Sequence, residues 1–177
     1  MTTRAFDFTE RWQFATVEHG CDDREIIQRC HPATVSVEPA GLEMDKRGVD
    51  FIATLEGGAT VYWDVKRRER GCSRYWKMGP EVALEMWSDR EAKRPGWTWD
   101  ASKITHYVLF AFDPADHDRA YVAPFQALRA VFLRNGKRWL EQYEQPTQDN
   151  VRWLSQCLFV PVWELQQAIY DGMAVPA

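Results

Sequence analysis

A chain of 177 residues, 45% hydrophobic and 27% charged, holds enough apolar material for a single domain, residues 1–177, with a sizeable core. No apolar run approaches the ~20 residues that a membrane helix needs. A net charge of −4 argues against a globally basic nucleic-acid coat.

The elements follow in chain order. Asp7 or Thr9 can cap a first helix through Trp12, Phe14, Ala15 and Val17, where apolar residues recur at helical spacing, and Gly20 breaks it. A second helical piece, 22–29, carries Ile26 and Ile27 and ends before Pro32. Residues 33–38 alternate and are rich in β-branched side chains, which predicts a strand. Pro39-Ala40-Gly41 turns the chain, and a polar loop, 45–48, leads into a β-hairpin with strands at 49–55 and 59–67 around Gly57-Gly58. Gly79-Pro80 predicts a helix start, proline suiting the first turn. That helix runs to Ala92 with Val82, Ala83, Met86 and Trp87 on one side, and Arg94-Pro95-Gly96 stops it. The strongly apolar stretch 105–112 predicts a buried central strand. Tyr121 and Val122 fit a short strand, 125–134 a helix followed by Gly136, 157–162 a last strand and 163–170 a terminal helix. The order predicts an α/β fold with a mixed sheet flanked by helices.

The four cysteines, Cys21, Cys30, Cys72 and Cys157, form no CxxC pair, and the start of the chain lacks the apolar stretch of a secretory signal. A cytoplasmic protein with free thiols is expected. Cys21, Cys30 and His31, with His19 nearby, match no structural zinc spacing. Among the nine tryptophans, Trp76, Trp97 and Trp99 could stack on bases, but packing is the expected role.

The hairpin carries the chemistry. Asp64 and Lys66 are two apart on a strand and share a face, while Val61, Trp63 and Val65 point the other way. Asp50 joins them only in one register. A two-residue Gly57-Gly58 loop sets Asp50 opposite Val65, turned away from Asp64. A three-residue loop or one bulge sets it opposite Lys66, on the face of Asp64. Two carboxylates suit a hard cation, Mg²⁺ or Mn²⁺, which lowers the pKa of a bound water. A lysine beside them stabilises charge on a phosphate. The bland alternative is a partly exposed salt-bridge group of small value. From Lys66 to Lys77 the chain holds six basic residues against Glu69 alone, so Arg67, Arg68, Arg70, Arg74 and Lys77 are candidate nucleic-acid contacts.

The stretch Gly48-Val49-Asp50-Phe51, followed by Trp63-Asp64-Val65-Lys66, resembles the signature of the PD-(D/E)xK nuclease superfamily, the restriction-endonuclease-like fold. That signature is an acid at the start of one strand and an acid-x-lysine on the next. Here valine precedes Asp50 where proline is usual. The order of elements is similar in outline over residues 8–112, and 96–110 looks like the strand that completes the sheet in phage and prophage members. The resemblance implies a metal-dependent nuclease, acting on DNA more than RNA, with Asp50, Asp64 and Lys66 catalytic. It also implies a third acid on the first helix, Glu18, 32 residues before Asp50, with Glu25 as runner-up and Glu10 as a further candidate. Many members act as dimers, which allows a homodimer here, although no heptad or large apolar helix face marks an interface. No glutamine lies between Lys66 and Gln126, where some relatives carry one; Glu81 or Glu85 occupies that region. This leaves room for a catalytically lapsed protein of a phage or mobile element, binding nucleic acid or a host protein.

Overall fold

Burial that alternates along the strands, with helices on either side, builds a mixed α/β fold. The computed structural model describes residues 22–117, 119–149 and 153–174. The expected helix through Trp12 to Val17, with Glu10, Glu18, His19 and Cys21, lies outside them. Helix α1 (Asp22–Cys30) leads to β1 (Thr34–Pro39), a single turn α2 (Leu42–Asp45), then β2 (Phe51–Leu55) and β3 (Thr60–Arg67). A 3₁₀ turn (Cys72–Tyr75) precedes β4 (Glu81–Asp89) and β5 (Arg94–Pro95). There follow β6 (Tyr107–Ala111), β7 (Tyr121–Pro124), α3 (Phe125–Gln142), β8 (Thr147–Asp149), β9 (Leu154–Pro161) and α4 (Val162–Ala174). Among the described residues, no helix is long and apolar enough to cross a membrane.

Two sheets form. The larger has the order β1-β2-β3-β6-β7, antiparallel throughout except for the central parallel pair β3–β6. The smaller is antiparallel, β5-β4-β9-β8. Strand β6 is buried on both faces, as its unbroken apolar run requires. Its Leu109 joins Ile27, Val37, Phe51, Ala53, Val61 and Trp63 in a core under α1. Its Val108 and Phe110 point the other way, into a larger core with Val82, Leu84 and Met86 of β4, Leu158 and Val160 of β9, and the apolar faces of α3 and α4.

The helix expected over 80–92 is strand β4. Val82, Leu84 and Met86 are buried while Ala83, Glu85 and Trp87 are half-buried, a period of two. Val82, Ala83, Met86 and Trp87 also satisfy a helical period, and a nine-residue segment carries both patterns. Pairing with β9, from Glu81↔Pro161 to Glu85↔Cys157, settles the matter. The connection from β3 to β6 is therefore a β-hairpin rather than a helix.

The helix expected to end before Gly136 runs on to Gln142. Gly136 is buried within it, and Trp139, fully buried one turn later, donates its indole N–H to Glu164 Oε1 of α4 (3.0 Å). A Cβ added at Gly136 meets nothing within 4 Å. Gly136→Ala is expected to stabilise the protein by about 0.5–1 kcal/mol through lower backbone entropy in the unfolded chain. A thermal scan checks this, with an expected rise of roughly 1–4 °C.

Candidate active site

The hairpin turn decides what meets what. Leu55 N–H donates to Ala59 O (2.8 Å), so the loop is Glu56-Gly57-Gly58, with both glycines left-handed at φ +89° and +85°. This three-residue loop pairs Phe51 with Trp63, Ile52 with Tyr62, Ala53 with Val61 and Thr54 with Thr60. One step beyond the ladder, Asp50 falls opposite Asp64 on the same face. The odd loop that the site demands is present. It starts one residue earlier than expected, so Asp50 faces Asp64 rather than Lys66.

Asp50 stands where the ladder stops. Its N–H donates to Trp63 O (2.8 Å), and its Oδ2 accepts the N–H of Val65 (2.6 Å) in place of a backbone carbonyl. The segment leading to it is tied down. Val49 N–H donates to Met44 O (3.1 Å), Thr105 Oγ1 donates to Gly48 O, and Lys103 Nζ donates to Lys46 O (3.1 Å). Gly48 is left-handed at φ +83°, and a side chain there would run into Lys103. Asp45, the last residue of α2, brings its carboxyl against that of Asp50.

Lys66 Nζ is ion-paired with Asp64 Oδ1; the Asp64 side chain is 4% exposed and that of Lys66 31%. Burial pushes the Asp64 carboxyl up to about 7; Lys66 opposes the rise and Asp50 adds to it. Burial likewise raises Asp50 and Asp45 above the ordinary carboxylate range. Burial alone would lower Lys66, but Asp64 and Asp50 outweigh it and hold the ammonium charged. Three carboxyls thus crowd against one lysine, an excess of negative charge that hard-cation chemistry would relieve. Among the described residues, no three His, Cys, Asp or Glu side chains are placed to hold one metal ion.

The other expected residues separate into groups. Glu18 lies outside the described residues. Glu25 is exposed on α1 and pairs with Arg29 (3.4 Å). Helix α1 also packs on the Trp63 face of the sheet, opposite to Asp64 and Lys66, so it lends the site no carboxylate. The basic run is partly consumed by the fold. Arg67, on the α1 face, pairs with buried Asp23; Arg68 lies over the Phe159 ring (4.2 Å); Lys77 pairs with Glu144 (2.5 Å). Arg70 and Arg74 are exposed, Arg74 stacked on Tyr75 (4.7 Å). Arg67→Ala is expected to destabilise the protein by about 1–3 kcal/mol, because buried Asp23 loses its charged partner. Arg74→Ala should leave urea unfolding unchanged, so paired unfolding curves check the division.

Trp76, Trp97 and Trp99 pack against the larger core, as expected of them. Trp99 meets Trp87 edge-on (4.9 Å) and donates its indole N–H to Met86 O (2.5 Å). Cys30, Cys72 and Cys157 are free. A groove of about 510 Å³ lined by Thr60, Val61, Thr105, His106, Tyr107 and Gln126, among others, opens beside the first residues of β3 and β6. It does not include Asp50, Asp64 or Lys66.

Sequence reasoning missed Asp45, which read as loop polarity, and gave Glu85 no role beyond its position. Asp45 reaches Asp50 by way of the turn α2, and Glu85 comes within electrostatic reach of Lys66 from the smaller sheet; the acid, acid-x-lysine spacing expresses neither. The chain matches no protein-family model, and no curated protein or solved structure matches it.

Proposed function

We propose that this protein is a divalent-metal-dependent nuclease, using Mg²⁺ or Mn²⁺ and acting on DNA in preference to RNA. One observation carries the reading: the Glu56-Gly57-Gly58 loop sets Asp50 opposite Asp64, with Lys66 ion-paired beside them. A chance group of surface charges has no reason to be withdrawn from water; Asp64 is buried and Asp50 half-buried, at a cost in stability. The meander β1–β2–β3 joined to a parallel buried strand also agrees with the resemblance. The β4–β5 hairpin, in place of a helix after the lysine, departs from it.

In this reading Asp50 and Asp64 hold the ion through oxygen. When bound, the ion supplies a water of lowered pKa and neutralises charge at the phosphate. Lys66 keeps its proton and donates to the attacking water or to a non-bridging phosphate oxygen as negative charge builds there. Asp45 steadies Asp50 from behind. Exposed Arg70 and Arg74 attract the backbone in a salt-dependent way.

The test is incubation with plasmid, linear and single-stranded DNA and with RNA, in Mg²⁺ or Mn²⁺. Cleavage by the wild type and its loss in Lys66→Ala are expected. Equal cleavage by Lys66→Ala would sink the reading. Metal and nucleic-acid binding without cleavage would point instead to a lapsed member of the same fold.

A further inference from the structure

The face that carries Asp64 and Lys66 looks onto the smaller sheet, and one residue of that sheet and one just after it close on the lysine. Strand β4 pairs regularly with β9 as far as Glu85↔Cys157, then slips, so that Trp87 pairs with Gln156. The bulge leaves Met86 unpaired, and Glu85, the last regularly paired residue before it, accepts the N–H of Trp97 at its Oε2 (3.2 Å). Trp97 follows β5, where the chain folds back over β4 and Gly96 N–H donates to Met86 O (2.8 Å). The Trp97 ring packs on Phe110 of β6 with centroids 6.2 Å apart, and Lys66 Nζ lies 5.1 Å from its centroid. The ammonium therefore has an acid on its own strand, an acid on the next strand, an aromatic face over it and the charge of Glu85 within electrostatic reach.

We propose that Trp97 and Glu85 are positioning residues for Lys66, the ring setting where the ammonium points and the carboxylate holding the backbone N–H of the residue that carries the ring. The proposal rests on the nuclease reading for the purpose of the lysine, but the clamp itself is a matter of geometry. A lysine stem carries much rotamer freedom. Paired with Asp64 alone, Lys66 can swing about that one oxygen. With the indole face on its other side it is held in one direction, the pre-set geometry that a phosphoryl transition state needs.

The test uses Trp97→Leu, Trp97→Phe and Glu85→Ala in the full chain. Glu85→Ala removes the acceptor of the Trp97 N–H and so frees the segment that carries the ring. Trp97→Phe keeps a ring face, so these two variants carry the test if Trp97→Leu does not fold. Trp97→Leu should lower kcat about 10- to 100-fold with KM and Mn²⁺ affinity little changed, and Trp97→Phe should recover most of the loss. A second readout needs no activity: acetylation of Lys66, followed by mass spectrometry without metal or substrate, should be faster in Trp97→Leu and in Glu85→Ala than in the wild type. Unchanged kcat in every variant of a wild type that cuts overturns the proposal. If the wild type cuts nothing, the nuclease reading falls and the labelling decides alone. Faster labelling upholds the clamp, and equal rates overturn it.

Discussion

In metal-free buffer at pH 8, Asp64→Asn is expected to make the protein more stable and, on the proposed nuclease reading, to end cleavage. Both effects come from one placement. Asp64 is buried, and its carboxyl is pushed up to about 7 from an ordinary 3.8. The folded state then holds a proton between pH 4 and 7 that the unfolded chain has released. Stability must fall as pH rises through that window and stay low above it. Asp45, Asp50 and Glu81 are raised as well and push in the same direction. Lys66 is raised, so its contribution is complete below its ordinary 10.5 and constant across the window. Asp100, Asp116 and Glu164 are lowered, so their stabilisation is lost only in the acid limb below about pH 4. Asparagine mimics the protonated acid at every pH. The gain at pH 8 is roughly 2–4 kcal/mol, read as a higher urea midpoint in a chelating buffer, and it should shrink towards pH 4. In the wild type, added Mn²⁺ should raise the midpoint at pH 8, because an ion that binds only the folded state stabilises it. In Asp64→Asn it should do so weakly. A wild-type midpoint that climbs from pH 4 to 7 would contradict the placement of Asp64. Stability given up where function is served is a common trade.

The strand alternation made half of this site legible. Val61, Trp63 and Val65 had to face a core, so Asp64 and Lys66 had to face away from it, and the structure places them so. The partner of Asp50 was less legible. Gly57 and Gly58 both accept a positive φ, so a three-residue loop could begin at Glu56 or at Gly57. The sequence does not distinguish Asp64 from Lys66 as the residue opposite. Long-range pairing was not legible at all. β4 took its identity from β9, over 70 residues later, against a helical pattern of equal quality. Arg67 read as one of six basic residues on a stripe; Asp23, 44 residues earlier, makes it a core ion pair. Gly136 read as a helix stop because glycine favours the C-terminal cap. Trp139 and the side chains of α4 outweigh that preference, since packing of an apolar face outvalues one residue's propensity.

Gly96→Ala is expected to be the most damaging glycine-to-alanine change among the described residues. A Cβ at this position would stand 2.1 Å from Glu85 O, 2.5 Å from Glu85 C and 2.8 Å from Met86 C. All three are backbone atoms of a strand held on its other edge by β9, so none can rotate aside. The chain from Arg94 to Trp97 must lift off β4 instead. That breaks the Gly96 N–H bond to Met86 O and draws Trp97 and Trp99 away from the core they help to cover. A loss of about 4 kcal/mol or more follows, beyond what most point changes do. Gly57→Ala is the control. Its φ of +89° strains any side chain, but a Cβ there meets open space, so the cost is about 1 kcal/mol. Urea unfolding of the two variants separates close approach from backbone strain. Equal losses would mean that the β5 segment does not lie on β4 as described. Because Trp97 hangs from the same segment, Gly96→Ala should also free Lys66 to label at the rate seen in Trp97→Leu, even under conditions where the variant remains folded.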